Sequence, residues 1–270
     1  MPGDASPRGR EPDTTVFLVS PNEHQINQEP LLAALGDEWP ADLIEVAAEM
    51  LAHSEGRFPA GPRRLPGDLV RAIQRERLLA GMRHAAAELG YRSTNVQEVI
   101  ERAGVSRPTF YEHFANKDEC FLAAFDTCAA RLREVVAEAA DEGGDIWRDR
   151  IRSGFNAVLA FAATEPDAAR MVIVEARAAT PDAALHRIAL LDHFASCIDD
   201  KVHELLPTRT AHSTVTASGV VGGVESLLYA RLNKNQMDDL PALLPSLMYF
   251  AVLPYEGHLA ASEELGLRST

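Results

Sequence analysis

The sequence predicts an all-α fold, a small three-helix unit followed by a longer helical bundle, on three observations. From Leu69 onward apolar side chains recur three and four residues apart, the spacing that holds them on one face of a helix. Glycines and prolines punctuate that pattern, as at Gly90, Gly104, Pro166, Pro181 and Pro207. No six-residue stretch alternates apolar and polar residues convincingly, as a half-buried strand would.

The 270 residues, 46% hydrophobic and 24% charged, suffice for a sizeable core. The best candidate for a membrane helix, Leu240 to Leu253, falls short of about 18 residues and is cut by Pro241 and Pro245, so no span is expected. The N-terminus, with Asp4, Arg8, Arg10, Glu11 and Asp13, lacks the basic-then-apolar plan of a secretory signal, which points to a cytoplasmic location. Cys120, Cys128 and Cys197 fit neither a disulfide framework nor a zinc motif and read as buried small hydrophobes.

Residues 1–65 form an extension that reads as largely flexible. Pro2, Pro7, Pro12, Pro21 and Pro30 stand among polar residues, with Val16 to Val19 as an apolar island. One helix is expected at 41–53, where Leu43, Ala47, Met50 and Leu51 share a face, before a Pro-rich stretch from Pro59 to Pro66.

The three-helix unit is placed at 66–117. Its first helix runs from Leu69 to Leu89, with Ile73, Leu78, Met82, Ala85 and Leu89 on one stripe, Arg71, Arg75 and Arg83 outside it, and Gly90 as terminator. Thr94 and Gln97 read as a capping box opening the second helix, which buries Val96, Val99, Ile100 and Ala103. After a turn at Gly104 and Val105, Ser106 caps a short third helix that tolerates Pro108 in its first turn and ends near Phe114. Asn116 and Glu119 form another capping pair. They open a long fourth helix in which Phe121, Phe125, Cys128, Leu132, Val135 and Ala139 are spaced by three and four.

Residues 118–270 read as the bundle. Gly143 and Gly144 interrupt the pattern, and further helices are expected near 146–163, 167–178, 182–206, 214–232 and 240–259.

A net charge of −14 speaks against a nucleic-acid partner until its distribution is considered. Residues 1–65 hold five basic and eleven acidic side chains, residues 66–118 eight and seven, and residues 119–270 thirteen and twenty-two. With Arg63 and Arg64 included, residues 63–118 are the one positive segment, at +3. Within it, two short helices joined by a Gly-centred turn form a helix-turn-helix, whose second helix is the one that enters a major groove. Two ordinary core helices carry the same apolar pattern. What favours DNA is the row of hydrogen-bond donors Ser106, Arg107, Thr109, Tyr111, His113 and Lys117.

The run Gly90 to Ile100 (GYRSTNVQEVI), followed by Ala103 to Asp118 (AGVSRPTFYEHFANKD), resembles the DNA-binding signature of the tetracycline-repressor (TetR) family. About fifty residues match closely, and the remaining helices agree in number and layout with that family's ligand-binding, dimerising domain. Pro108 departs from the pattern, standing where glycine is common, and the 65-residue extension exceeds the usual short arm. The resemblance implies a ligand-responsive transcriptional regulator, more often a repressor, that binds a near-palindromic operator as a homodimer and is released by a small-molecule effector.

Carried over residue by residue, the resemblance makes Thr94, Tyr111, His113 and Lys117 phosphate contacts. Arg107 is the candidate for guanine, with a further phosphate contact as the other reading, and Pro108 and Thr109 are candidates for thymine methyls. Thr94 also reads as a cap, and Tyr111 as packing against the first helix. Arg63 and Arg64 are placed like basic arms that enter the minor groove, or form an ordinary solvated linker.

The resemblance also places an effector pocket among the middle helices, with Phe125, Trp147, Phe155, Phe161, Met171, Glu175, His193 and Phe194 as lining candidates. Each aromatic or Met reads first as core packing, whereas Glu175, beside the apolar run Met171 to Val174, needs a partner or an exposed face. The last two long helices would pair with their twins, Gly219, Gly222 and Gly223 allowing close approach. His186 and His193 with Asp182 and Asp192 are too loosely spaced for a metal, and no cofactor is expected. No G-x-S-x-G, H-E-x-x-H, P-loop or G-x-G-x-x-G segment suggests an enzyme. The competing reading is a protein-interaction module that keeps the helix-turn-helix only as scaffold.

Overall fold

The computed structural model describes residues 66–205, 214–234, 236 and 240–266. The expected helix at 41–53, the Val16 island, Arg63 and Arg64 lie outside them. The described helices are α1 (Gly67–Leu89), α2 (Val96–Ala103), α3 (Arg107–His113), α4 (Lys117–Glu142), α5 (Trp147–Thr164), α6 (Pro166–Ile173), α7 (Pro181–Leu205), α8 (Thr214–Asn233), α9 (Leu244–Glu256) and α10 (His258–Gly266). Short 3-10 turns lie at Glu175–Arg177 and Pro241–Leu243, and no strand occurs among the described residues.

The stripe on α1 is buried as expected at Ile73, Leu78, Met82 and Ala85, whereas Leu89 turns outward in the last half-turn. Arg77, which its charge would assign to the surface, is buried. α2 packs closely across α1 at Gly81. Gly104 takes the left-handed conformation (φ 62°) that ends α2.

The cap of α2 is a correction. Asn95, not Thr94, accepts the amides of Gln97 (2.8 Å) and Glu98 (3.2 Å), while the buried Thr94 hydroxyl donates to the Gly90 carbonyl at 2.9 Å. Both residue types cap helices, and the one-residue offset places Asn95 in the extended conformation that a cap requires.

Ser106 caps α3 through the Thr109 amide at 3.3 Å. Asn116 caps α4 by accepting the Glu119 amide at 2.9 Å, and the Glu119 carboxylate returns to the Ala115 amide at 2.7 Å. Phe121, Phe125, Cys128 and Leu132 of α4 join one core that runs from the three-helix unit into the bundle.

Three further expectations are corrected. The helix expected at 167–178 ends at Ile173 and gives way to the 3-10 turn. The helix expected at 240–259 is three pieces: Pro254 removes a ladder donor from the last turn of α9, and Gly257 (φ 84°) redirects the chain into α10. Cys197 is exposed, although Cys120 and Cys128 are buried as read.

Candidate DNA-binding face and ligand cavity

Helix α3 is anchored by Phe110, which is fully buried and meets the rings of Tyr111 and Phe114 at 5.3 and 5.9 Å. Outside that anchor Ser106, Arg107, Pro108 and Tyr111 are exposed, with the Arg107 guanidinium 5.8 Å from the Tyr111 ring centroid. The Thr109 and Ser106 hydroxyls bond each other at 2.8 Å. His113 leans on α1, its Nε2 3.4 Å from Gln74 Oε1, and burial together with Arg71 and Arg75 lowers its pKa, which favours the neutral ring. The sequence pattern places those two arginines only outside the apolar stripe of α1. The fold sets both beside α3 and enlarges the positive face.

Tyr91 ties the helix-turn-helix to the bundle. Its hydroxyl donates to Asp118, and Lys117 caps its ring at 4.0 Å from the centroid. The Lys117 ammonium also donates to the carbonyls of Tyr91 (3.0 Å) and Thr94 (2.9 Å), two of its three donors. From the other side, Glu175 in the 3-10 turn accepts the Tyr91 amide at 2.8 Å.

A cavity of about 380 Å³ lies between α4, α5, α6, α7 and α8. Its walls are mainly apolar, including Leu132, Ile151, Val158, Leu191 and Leu228. The lining residues on α7 run from Arg187 to Lys201, about 20 Å at 1.5 Å per residue. At the Arg187 end the nearly buried Glu225 accepts from both Arg177 and Arg187. At the other end Arg150 donates to Asp141 at 3.1 Å, and Lys201 donates to Glu204 at 2.7 Å.

Residues 78–124 match the model of the bacterial regulatory proteins of the tetR family. The match runs from the second half of α1 through α2 and α3 into α4. The chain is 24% identical over 185 residues to the HTH-type transcriptional activator FasR of Mycolicibacterium smegmatis, covering 67% of this chain and 82% of that protein. To the HTH-type transcriptional repressor AcnR of Corynebacterium diphtheriae it is 40% identical over 67 residues, a quarter of this chain (25%) and 35% of the relative. Among solved structures, the fatty acid degradation regulator FadR from Bacillus halodurans superposes with a TM-score of 0.60 at 16% identity, covering 70% of this chain and 96% of that one. FadR from Bacillus subtilis in complex with stearoyl-CoA gives 0.57 at 16% identity, covering 67% and 97%. These two neighbours share the fold.

The cavity takes only two of the eight sequence-predicted lining residues, Phe155 and Phe194. Phe125, Phe161 and Met171 are buried core, and Met171 Sδ sits 4.0 Å from Cys128 Sγ. Trp147 packs against Tyr255 at 5.5 Å and donates to Glu256, away from the cavity. His193 is exposed, 3.7 Å from Cys197 Sγ. Glu175 faces the helix-turn-helix and has the partner its position demanded. Arg187 and Glu225 were missed because charged residues on a helix ordinarily read as solvated. An Arg ten residues after Arg177 gave no signal of a shared partner 38 residues on. No helix among the described residues is long and apolar enough to cross a membrane.

Proposed function

We propose that this chain is a ligand-responsive transcriptional regulator that acts as a homodimer on a near-palindromic operator in the cytoplasm, reading it through α3, with an elongated, mostly apolar effector of the long-chain acyl class. The observation that carries the reading is the cavity itself. It runs about 20 Å along α7 behind largely apolar walls, and α6 both lines it and rests on α1 of the helix-turn-helix. The Bacillus subtilis FadR complex with stearoyl-CoA, of the same fold, supports the effector class.

On the DNA side, Arg107 and Tyr111 present donors from α3, and Arg71 and Arg75 add charge from α1. Arg107 is the base reader, and Tyr111 with the third donor of Lys117 meets phosphates. Thr94 contributes through the neighbouring helix end, its own hydroxyl being spent on Gly90. Dimerisation rests on α8 and α9. Val215, Leu227 and Phe250 expose apolar surface there, and a Cβ added at Gly219 or Gly222 would meet nothing within 4 Å of the single chain.

The test is selection of bound duplexes from a random pool by the full chain, followed by titration of the winner with stearoyl-CoA. An enriched palindrome with half-sites about one helical turn apart, released by stearoyl-CoA, is expected. No retention at low salt refutes DNA binding and leaves the interaction-module reading. Retention without release refutes the effector class.

A further inference from the structure

We infer that Arg177, Arg187 and Glu225 form a subsite for an anionic, carboxylate-type group of the cavity's ligand, and that its occupancy reaches the helix-turn-helix through the 3-10 turn. The inference rests on the effector reading above and specifies its head group. Glu225 is 7% exposed and accepts from Arg177 Nε (3.0 Å) and Nη2, and from Arg187 Nε (3.1 Å) and Nη2 (2.7 Å). Two guanidinium groups against one carboxylate leave a formal charge of +1. Arg187 and Glu225 line the cavity beside Val172, Ile173, Leu190, Val221 and Val224, whose side chains offer no counter-charge, while Arg177 stands behind Glu225 with its guanidinium 4.1 Å from the Tyr229 ring centroid. No other carboxylate pairs with either arginine among the described residues. The remaining charged groups of the cavity wall offer no such excess, since Asp141 balances Arg150, Glu204 balances Lys201, and Asp200 adds a negative charge.

A guanidinium carries five N–H donors, and Arg187 directs only its Nε and one Nη at Glu225. The unused donors suit a second carboxylate, which would make a neutral cluster of two cations and two anions. Such a cluster costs less to bury than the charged triad does.

Regulation follows from where Arg177 sits. It is the last residue of the Glu175–Arg177 turn, whose first residue accepts the Tyr91 amide at 2.8 Å. A ligand carboxylate on the unused donors of Arg187 draws that side chain toward itself, and Glu225 and Arg177, bonded to it in series, move with it. The turn then shifts, and the Tyr91 amide loses its acceptor.

The full chain is titrated calorimetrically with hexadecanoate and with hexadecan-1-ol, equal in length and differing in the head group. The acid is expected to bind about tenfold tighter, the worth of one charge-assisted hydrogen bond. Arg187→Met should abolish that preference while keeping the alcohol's affinity, and Arg187→Lys should restore part of it. Saturating acid, but not alcohol, should speed hydrogen exchange of the Tyr91 amide at least threefold. Equal binding of acid and alcohol, or a preference that survives Arg187→Met, overturns the subsite while leaving the apolar-effector reading intact. Unchanged exchange at Tyr91 under saturating acid overturns the transmission. Failure of both probes to bind overturns the subsite, while the effector reading stands or falls with the stearoyl-CoA titration.

Discussion

Gly81 offers an experiment whose sign, not only its size, is fixed by the structure. It lies in the middle of α1 where α2 crosses. A Cβ added there would stand 2.7 Å from the Val99 carbonyl oxygen, 3.1 Å from the Ala103 amide nitrogen and 3.2 Å from the Ala103 Cβ. Alanine has no rotamer with which to escape, and the nearest atom is helix backbone. Helix propensity alone favours Gly81→Ala by about 0.5–1 kcal/mol. Overpacking against fixed backbone costs about 1–3 kcal/mol. The expected balance is a destabilisation of about 1–2 kcal/mol, a fall in Tm of about 2–8 °C for a chain of this size. Urea and thermal unfolding of the variant beside the parent measure it. A stabilisation of the size that propensity predicts would show that α1 and α2 are not packed this closely, and the placement of α3 would fall with it.

Arg107→Met should remove about 1–3 kcal/mol of discrimination at one operator position, seen as relaxed sequence preference there in competition binding, whereas Tyr111→Phe should weaken all duplexes alike. His113 has its pKa lowered, by burial first and then by Arg71 and Arg75, so the unfolded chain takes up its proton first as pH falls. Stability from this group is therefore full above the ordinary 6.5 and declines below it. The urea midpoint should drop between pH 7.5 and 5.5 by less in His113→Gln than in the parent. Gly222→Arg fills space that is open in the single chain but closed in a dimer built on α8. Sedimentation should show monomer without loss of helical signal, and an unchanged dimer would place the interface elsewhere.

The sequence was most legible where one residue type serves one local need. Ser106 and the Asn116 and Glu119 pair are caps as read, and Gly104 ends α2, because short-range hydrogen bonding decides those positions. The same logic slipped by one residue at Thr94 and Asn95, where two competent caps are adjacent. Periodicity identified which side of α4 points inward. It does not distinguish a side chain that fills the core, such as Phe161, from one that borders a void, such as Phe155. That difference is set by how far apart neighbouring helices stand. Glu225 and its two arginines were invisible for a related reason, since their pairing is long-range while each residue alone resembles ordinary helix surface.

Arg170 of α6 donates to two carbonyls at the ends of two helices, Ala87 on α1 at 3.1 Å and Leu232 on α8 at 2.8 Å. It thereby pins the C-terminal ends of both to a single pivot. Gln74, on which His113 of the recognition helix rests, lies thirteen residues up α1 from Ala87, a lever arm of about 20 Å. A tilt of only about 5° at that pivot swings the arm's tip by about 2 Å, enough to take a base-reading side chain out of hydrogen-bond range. Geometry of this kind lets a displacement too small to break any helix alter which stretch of duplex the protein can grip.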